Sequence, residues 1–276
     1  MKIFIVGLGL IGASLAEGLH QKGHHIRGYD QNESIMNEAK KLGFVSEDSN
    51  LNKLKEAELV ILALYPKDNV SFLENHQNLF AYGQTLTDVS GTKVWMMENI
   101  ENLLPEGVSY TSVHPMAGRE ISGFHARSAH LFTHANLMIV KSKKSIEKDE
   151  TLIRKVASDL NFGKITVTDA HTHDQLVAFT SQLTHVIAVC LMHADHEKNT
   201  KEATGDSFRD LTRIAKINEM MWSELFLENK EVLINMIELF ENELDRMKSM
   251  IKTHDQDRLI TYLRQAKEKR KDFDIH

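Results

Sequence analysis

The chain has 276 residues, 42% of them hydrophobic and 26% charged, with 3 prolines and 14 glycines, which excludes a disordered, collagen-like or low-complexity chain and suits about two globular domains. A net charge of −6 without any long basic block argues against nucleic acid as the main partner. A single cysteine, Cys190, rules out an internal disulfide and makes a reducing cytoplasm the expected setting, while 15 histidines raise metal binding and proton transfer as questions.

The chain opens on Lys2-Ile3-Phe4-Ile5-Val6, an apolar run with the look of a secretion signal. Gly7, Gly9 and Gly12 interrupt it and Glu17 and His20 continue its pattern, so it reads as a strand entering a helix. Further strands are predicted over 25–30, 58–64, 85–89, 109–114, 136–140 and 164–168, with amphipathic helices over 11–21, 33–41, 93–102 and 146–160 among them. This alternation implies β-α-β units and a mostly parallel sheet. After residue 170 only helices are predicted, over 171–198, 207–215, 218–227, 230–251 and 256–269. The expected organisation is therefore an α/β domain over 1–169 and an all-helical domain over 170–276.

The segment 171–198 would form a rod ~42 Å long that is apolar on most sides. Its stretch 175–192 is broken by Gln182, Thr184 and His185 and falls short of the ~18 uninterrupted apolar residues of a membrane span, so no membrane is expected. In the later helix, Leu233, Ile237, Phe240, Leu244, Met247 and Ile251 form a narrow seam that fits either the chain's own core or a second copy.

Three groups of residues carry chemistry. Gly7-Leu8-Gly9-Leu10-Ile11-Gly12 lies between a strand and a helix, and Asp30 ends the next strand. The glycines allow a tight turn, close approach of backbone to a pyrophosphate, and close helix–strand packing, while the amides around Leu8, Leu10 and Ile11 face the phosphates. Asp30 can accept from both ribose hydroxyls and would repel a 2′-phosphate, so NAD is expected rather than NADP.

The second group is made of strand ends: Asp88-Val89-Ser90-Gly91-Thr92-Lys93 and His114-Pro115-Met116-Ala117-Gly118-Arg119-Glu120. Pro115 holds His114 in an extended backbone at the sheet edge, where a histidine suits the role of general base. The third group is helical. Asp174, Ser181 and His185 are spaced to share one polar stripe, and Ser207 with Asp210 makes a capping-box pattern. Arg209 and Arg213 would project from one side of that new helix, either as a pair suited to carboxylates or, as spacing alone favours, as a solvated basic face paired with Asp210 and Glu219. His193 with His196, or His171 and His173 with Asp174, match no common zinc spacing and read as surface or helix-end histidines, so no metal is expected.

These residues carry a resemblance. The motif at 7–12 with Asp30, the segment from Asp88 to Lys93, His114-Pro115-Met116-Ala117-Gly118, Ser181-Gln182-Leu183-Thr184-His185 and Phe208-Arg209-Asp210-Leu211-Thr212-Arg213-Ile214-Ala215 occur in the order of the prephenate/arogenate dehydrogenase family, as does Trp222-Ser223-Glu224-Leu225-Phe226-Leu227-Glu228-Asn229-Lys230. The resemblance implies a Rossmann-type domain followed by a helical dimerisation domain, and NAD-dependent oxidative decarboxylation of prephenate to 4-hydroxyphenylpyruvate in tyrosine biosynthesis, by a homodimer. It assigns catalysis to His114 and substrate binding to His185, Arg213, Arg209 and Ser181. The family usually has serine where this chain has Gly91, and Ser90 is the candidate to supply that hydroxyl. Alternatives are an arogenate dehydrogenase, a dehydrogenase of the β-hydroxyacid type, which would place a lysine on the first long helix where this chain has none before Lys198, and an NAD-sensing regulator without catalysis.

Overall fold

The computed structural model describes residues 1–118 and 121–273. Arg119 and Glu120, which close the His114 segment, lie outside the described residues. Seven strands form one sheet: β1 (Lys2–Val6), β2 (His25–Tyr29), β3 (Leu59–Leu62), β4 (Thr85–Asp88), β5 (Ser109–Pro115), β6 (Leu137–Lys141) and β7 (Ile165–Thr168), in the order β2-β1-β3-β4-β5-β6-β7. Strands β1 to β5 pair in parallel, β6 runs antiparallel to β5, and β7 is parallel to β6.

The central strands are apolar on both faces because both are covered. Ile3, Phe4, Ile5 and Val6 of β1 are all buried, Ile3 and Ile5 packing into one core and Phe4 and Val6 into the other. Each such side chain removed from water contributes about 1.5–3 kcal/mol. The covering helices are α1 (Leu10–Gln21), α2 (Glu33–Lys41), α3 (Pro66–His76), α4 (Val94–Ile100) and α5 (Glu147–Asp159). Helix α3 was absent from the predicted elements. It starts at Pro66, whose missing N–H costs nothing in a first turn, and buries Phe72 and Leu73.

The chain leaves β1 toward β2 and returns on the other side of β1 as β3, which opens a crevice at the carboxyl ends of β1 and β3. Gly7 and Gly12 line its floor. Gly7 has φ +90°, and a Cβ on Gly12 would lie 1.9 Å from the Gly7 carbonyl oxygen.

Helices α6 (Ala170–Val177) and α7 (Leu183–His193) are joined by a π turn over Ala178–Gln182, and the rod ends at His193 instead of running to 198. By length and composition alone, Ala170–His193 is apolar enough to cross a membrane, although its polar residues break any uninterrupted apolar run of that length. Two buried polar side chains tie it to its neighbours: Asp174 accepts from the Lys93 and Val94 amides, and Gln182 Nε2 donates to the Leu225 carbonyl. Next come α8 (Asp206–Thr212), a 3-10 turn over Arg213–Ala215, and α9 (Glu219–Glu228). The expected Ser207 cap is not formed. Gly205 is the N-cap residue and makes no side-chain cap, so Ser207 lies within the first turn.

The chain forms two compact units, Met1–Lys230 and Glu231–His276. In the second, α10 (Lys230–Lys252) turns back through His254 into α11 (Gln256–Lys271). Tyr262 donates its hydroxyl to Glu243 at 2.6 Å, fixing the two helices antiparallel.

Gly12→Ala is expected to lower stability by about 1–3 kcal/mol or more, read as a reduced denaturant midpoint, because the added methyl must move backbone rather than a flexible side chain.

Candidate active site

The crevice is built for a dinucleotide. Helix α1 begins at Gly9 without a side-chain cap, and a Cβ on Gly9 would meet nothing within 4 Å, so the first-turn amides face open space. Asp30, half-buried at the end of β2, accepts from the Leu8 amide at 2.8 Å and the Asn32 amide at 2.9 Å. Each oxygen holds one donor and keeps a lone pair for a ribose hydroxyl. Asp30 and the turn from Gly7 to Gly12 thus lie together through the Leu8 amide, and their chemistry fits NAD.

Beside the crevice lies a fully buried ion pair. Lys93 Nζ donates to Asp88 Oδ1 at 3.0 Å and to the Val113 carbonyl at 2.8 Å, with both side chains 0% exposed. Asp88 also accepts from the Ser90 amide, the Tyr110 hydroxyl and the Ser112 hydroxyl. These donors and the Lys93 charge hold its carboxyl below the usual range against the opposing effect of burial. Burial in turn lowers Lys93, offset by Asp88.

His114 stands at the carboxyl end of β5. Its Nδ1 lies 2.9 Å from His173 Nε2, and His173 Nδ1 lies 2.7 Å from Asp174 Oδ1. Burial foremost, then the neighbouring His173 and Lys93, push His114 well below its ordinary value and keep it neutral. Burial also lowers His173, against the pull of Asp174. Asp174 accepts from the Lys93 amide and the Val94 amide, each at 2.9 Å. Helix α6 is aimed at β5 by its cap, in which the Asp169 side chain accepts from the Thr172 amide and hydroxyl.

His173 was read from sequence as a surface or helix-end histidine and is instead 0% exposed and bonded at both nitrogens. The available signal was a His-Asp doublet one turn after a capped start on an apolar helix. Among the described residues, no group of three His, Cys, Asp or Glu side chains is placed to hold a metal.

The expected stripe of Asp174, Ser181 and His185 is also corrected. The π turn slips the register, so Gln182 rather than Ser181 follows Asp174 inward, and Asn229 Nδ2 joins the Asp174 carbonyl to Gln182 Oε1. Ser181 and His185 sit half-buried on the neighbouring face, with His185 stacked on Trp222 at 3.7 Å between ring centroids. His185 Nδ1 donates to the Ser181 carbonyl at 2.8 Å and burial lowers its affinity for a proton, so its Nε2 is an acceptor rather than a cation.

Helix α7 packs against α8 and the turn that begins at Arg213, which places His185 and Arg213 on adjoining elements. Arg213 is exposed, and the exposed Arg209 donates to Asp206 at 2.6 Å and to the Thr204 carbonyl at 3.2 Å.

Ser90 departs from the expected role. Its hydroxyl accepts from Asn69 Nδ2 at 3.2 Å and the residue is 5% exposed, so it braces the β3–α3 connection, where Asn69 also bonds the Leu64 amide and carbonyl. Position 91 lies under α9: a Cβ on Gly91 would come within 3.2 Å of Leu225. Helix α9 is clamped there by Thr92, whose hydroxyl donates to Glu228 at 2.5 Å, and by the Lys67 amide, which donates to Glu224 at 2.8 Å. Burial pushes the Glu228 carboxyl up to about 7.

Comparison with known proteins gives a consistent result. The family described as "Prephenate dehydrogenase, nucleotide-binding domain" matches residues 15–164, and "Prephenate dehydrogenase, dimerization domain" matches 169–265. Prephenate dehydrogenase of Lactococcus lactis subsp. cremoris is 31% identical over 100% of this chain and 78% of its own, and that of Bacillus subtilis 28% over 97% and 75%. The crystal structure of prephenate dehydrogenase from A. aeolicus, in complex with hydroxyphenyl propionate and NAD+, superposes with a TM-score of 0.89 at 28% identity, covering 99% of this chain and 98% of that one.

Gly9→Ala should leave stability within about 1 kcal/mol, since its methyl meets no protein atom, yet weaken NAD by ~10-fold or more in calorimetric titration, because the methyl occupies the phosphate approach.

Proposed function

The chain belongs to the prephenate dehydrogenase family, and from that premise we propose that this site converts prephenate to 4-hydroxyphenylpyruvate with His114 as the general base. The observation that carries the reading is a neutral, desolvated His114 at the carboxyl end of β5, the same end of the sheet as the dinucleotide turn after β1. Gly9, the first turn of α1 and Asp30 would hold NAD, which supplies the acceptor for the hydride on the ring carbon bearing the hydroxyl.

The chain's own residues then account for the rest. Positive charge grows on that ring carbon as the reaction proceeds, and His114 relieves it by taking the hydroxyl proton, a contribution of ~10²–10⁴-fold for a well-placed base. The carbonyl that forms accepts the electrons released when the ring carboxylate leaves as CO2, and aromatisation makes the step irreversible. Prephenate carries two carboxylates. With His185 a neutral acceptor, the anchoring charge falls to Arg213 and Arg209, and Ser181 lies one turn before His185 on the helix that packs against them. Arg209 would exchange its exposed partner Asp206 for substrate at small cost, since such surface pairs are worth about 0–1 kcal/mol.

We divide the chain into a nucleotide-binding half, 1–169, and a helical half, 170–276, supported by the end of the sheet at Thr168 and by the meeting of the two family matches between 164 and 169. A homodimer formed through the helical half is supported by its dimerization-domain match and by apolar side chains left exposed in one chain: Leu176 at 47%, Phe179 at 55%, Leu244 at 51% and Ile251 at 57%. A cytoplasmic setting suits the single exposed cysteine, Cys190.

Mixing the protein with NAD and prephenate should raise absorbance at 340 nm, and parallel runs with arogenate report substrate preference; no NADH from either would overturn the reading. His114→Asn is expected to lower kcat by ~10²–10⁴-fold with NAD affinity retained. Because the base works when neutral and His114 is held below the usual histidine range, the acid limb of kcat/KM should fall below pH ~6.5, with activity lost only as pH drops through that lower value. Arg213→Ala should act chiefly by raising KM for prephenate, ~10-fold or more, as loss of a charge-assisted carboxylate contact requires.

A further inference from the structure

His114, His173 and Asp174 form a line of hydrogen bonds whose proton positions are dictated from one end. A carboxylate oxygen can only accept, so Asp174 Oδ1 takes its bond from His173 Nδ1–H. A neutral His173 with its proton on Nδ1 presents a lone pair at Nε2, and the 2.9 Å contact with His114 Nδ1 then requires His114 to donate. The proton of neutral His114 is thereby fixed on Nδ1, and Nε2 carries the lone pair. Among the described residues His114 Nε2 has no hydrogen-bond partner, so it is the nitrogen left for a substrate hydroxyl.

We propose that His173 and Asp174 are positioning residues for catalysis: they hold His114 in the Nδ1–H tautomer that a base acting through Nε2 needs, and they stabilise the cation formed when it takes a proton. The proposal rests on the reading of His114 as the base. When the substrate O–H proton moves to Nε2, both nitrogens of His114 are protonated and Nδ1–H remains bonded to His173. The positive charge is then met, through His173, by Asp174.

Burial supports this role. His173 is 0% and Asp174 2% exposed, so water cannot substitute for either. Among the described residues Lys93, at the start of α4, disfavours a cation on His114 and is itself paired with Asp88. Asp174 is the group that opposes Lys93 from the helical side. It is kept in place by the Lys93 and Val94 amides whether or not His114 is charged.

The test is 15N NMR of histidine-labelled protein with steady-state kinetics on the wild type, His173→Gln and His173→Leu, each checked by thermal melting. Wild-type His114 should show the Nδ1–H tautomer. Glutamine can accept from Nδ1–H through its Oε1, so His173→Gln should keep that tautomer and hold kcat within about tenfold. Leucine cannot accept, so His173→Leu should shift His114 toward Nε2–H and lower kcat by ~10²-fold or more while KM changes by no more than about twofold. An Nε2–H tautomer in the wild type would overturn the proposal, as would equal kcat for the Gln and Leu variants. The tautomer reading needs no turnover, so it decides the proposal even if His173→Leu fails to fold or prephenate proves not to be the substrate.

Discussion

The structure depends on the carboxylate of Asp174. It accepts from three donors on three parts of the chain: the His173 ring beside it, the Lys93 amide at the end of the β4 connection, and the Val94 amide that opens α4. A single acidic side chain thus docks the first helix of the second half onto the sheet, closes the start of α4, and fixes the proton on the histidine beside the base. Removing the carboxylate would leave buried N–H groups unsatisfied, at about 1–3 kcal/mol each, and would unpin the base. Helix docking and the placement of the His114 ring are set by the same carboxylate, so this position cannot be tuned for one without the other.

The Asp88–Lys93 pair is the second constraint, and its energetics explain its many partners. Two charges taken wholly out of water are not a source of stability by attraction alone, because desolvation consumes most of the gain. Here Asp88 is met by Lys93, a backbone amide and two hydroxyls, and Lys93 by Asp88 and the Val113 carbonyl. A pair so fully satisfied is rigid. It ties the ends of β4 and β5 together directly behind His114 and places a fixed positive charge there, one reason the imidazole stays neutral until it meets a proton donor. The cost of burial is accepted for position and charge at the site rather than for stability.

How much of this could be read in the sequence follows from the range over which each feature is determined. The strand runs, the Gly7 to Gly12 turn and Asp30 are local: their residues lie close in the chain, and periodicity with glycine spacing specifies them. His114 was legible because Pro115 fixes its backbone at a strand end. His173 was not, because its meaning comes from a partner 59 positions earlier, and a histidine near a helix start is usually solvated. Ser207 with Asp210 has the right residue types for a cap, but Gly205 caps the helix two residues earlier and leaves the serine inside it. Ser90 likewise offered a hydroxyl at a suitable position, and only the fold reveals that Asn69 holds it.

The π turn at Ala178–Gln182 shows why helical spacing misled in the remaining case. Residues seven and eleven apart share a face only while the helix keeps 3.6 residues per turn, and one wide turn rotates everything after it. Gln182 then faces inward to Asn229, while Ser181 and His185 stay on a face that adjoins α8 and the turn bearing Arg213. Without the slip, the polar groups of α6 and α7 would line one side, and the helix could not both dock through Asp174 and set His185 against Trp222. The extra residue separates two sets of contacts: the first two turns meet His114 and the start of α4 through His173 and Asp174, and the turn after the slip carries His185, stacked on Trp222. A helix break that looks like an imperfection in an apolar rod is thus what lets one segment dock through Asp174 and Gln182 and still carry His185 against Trp222.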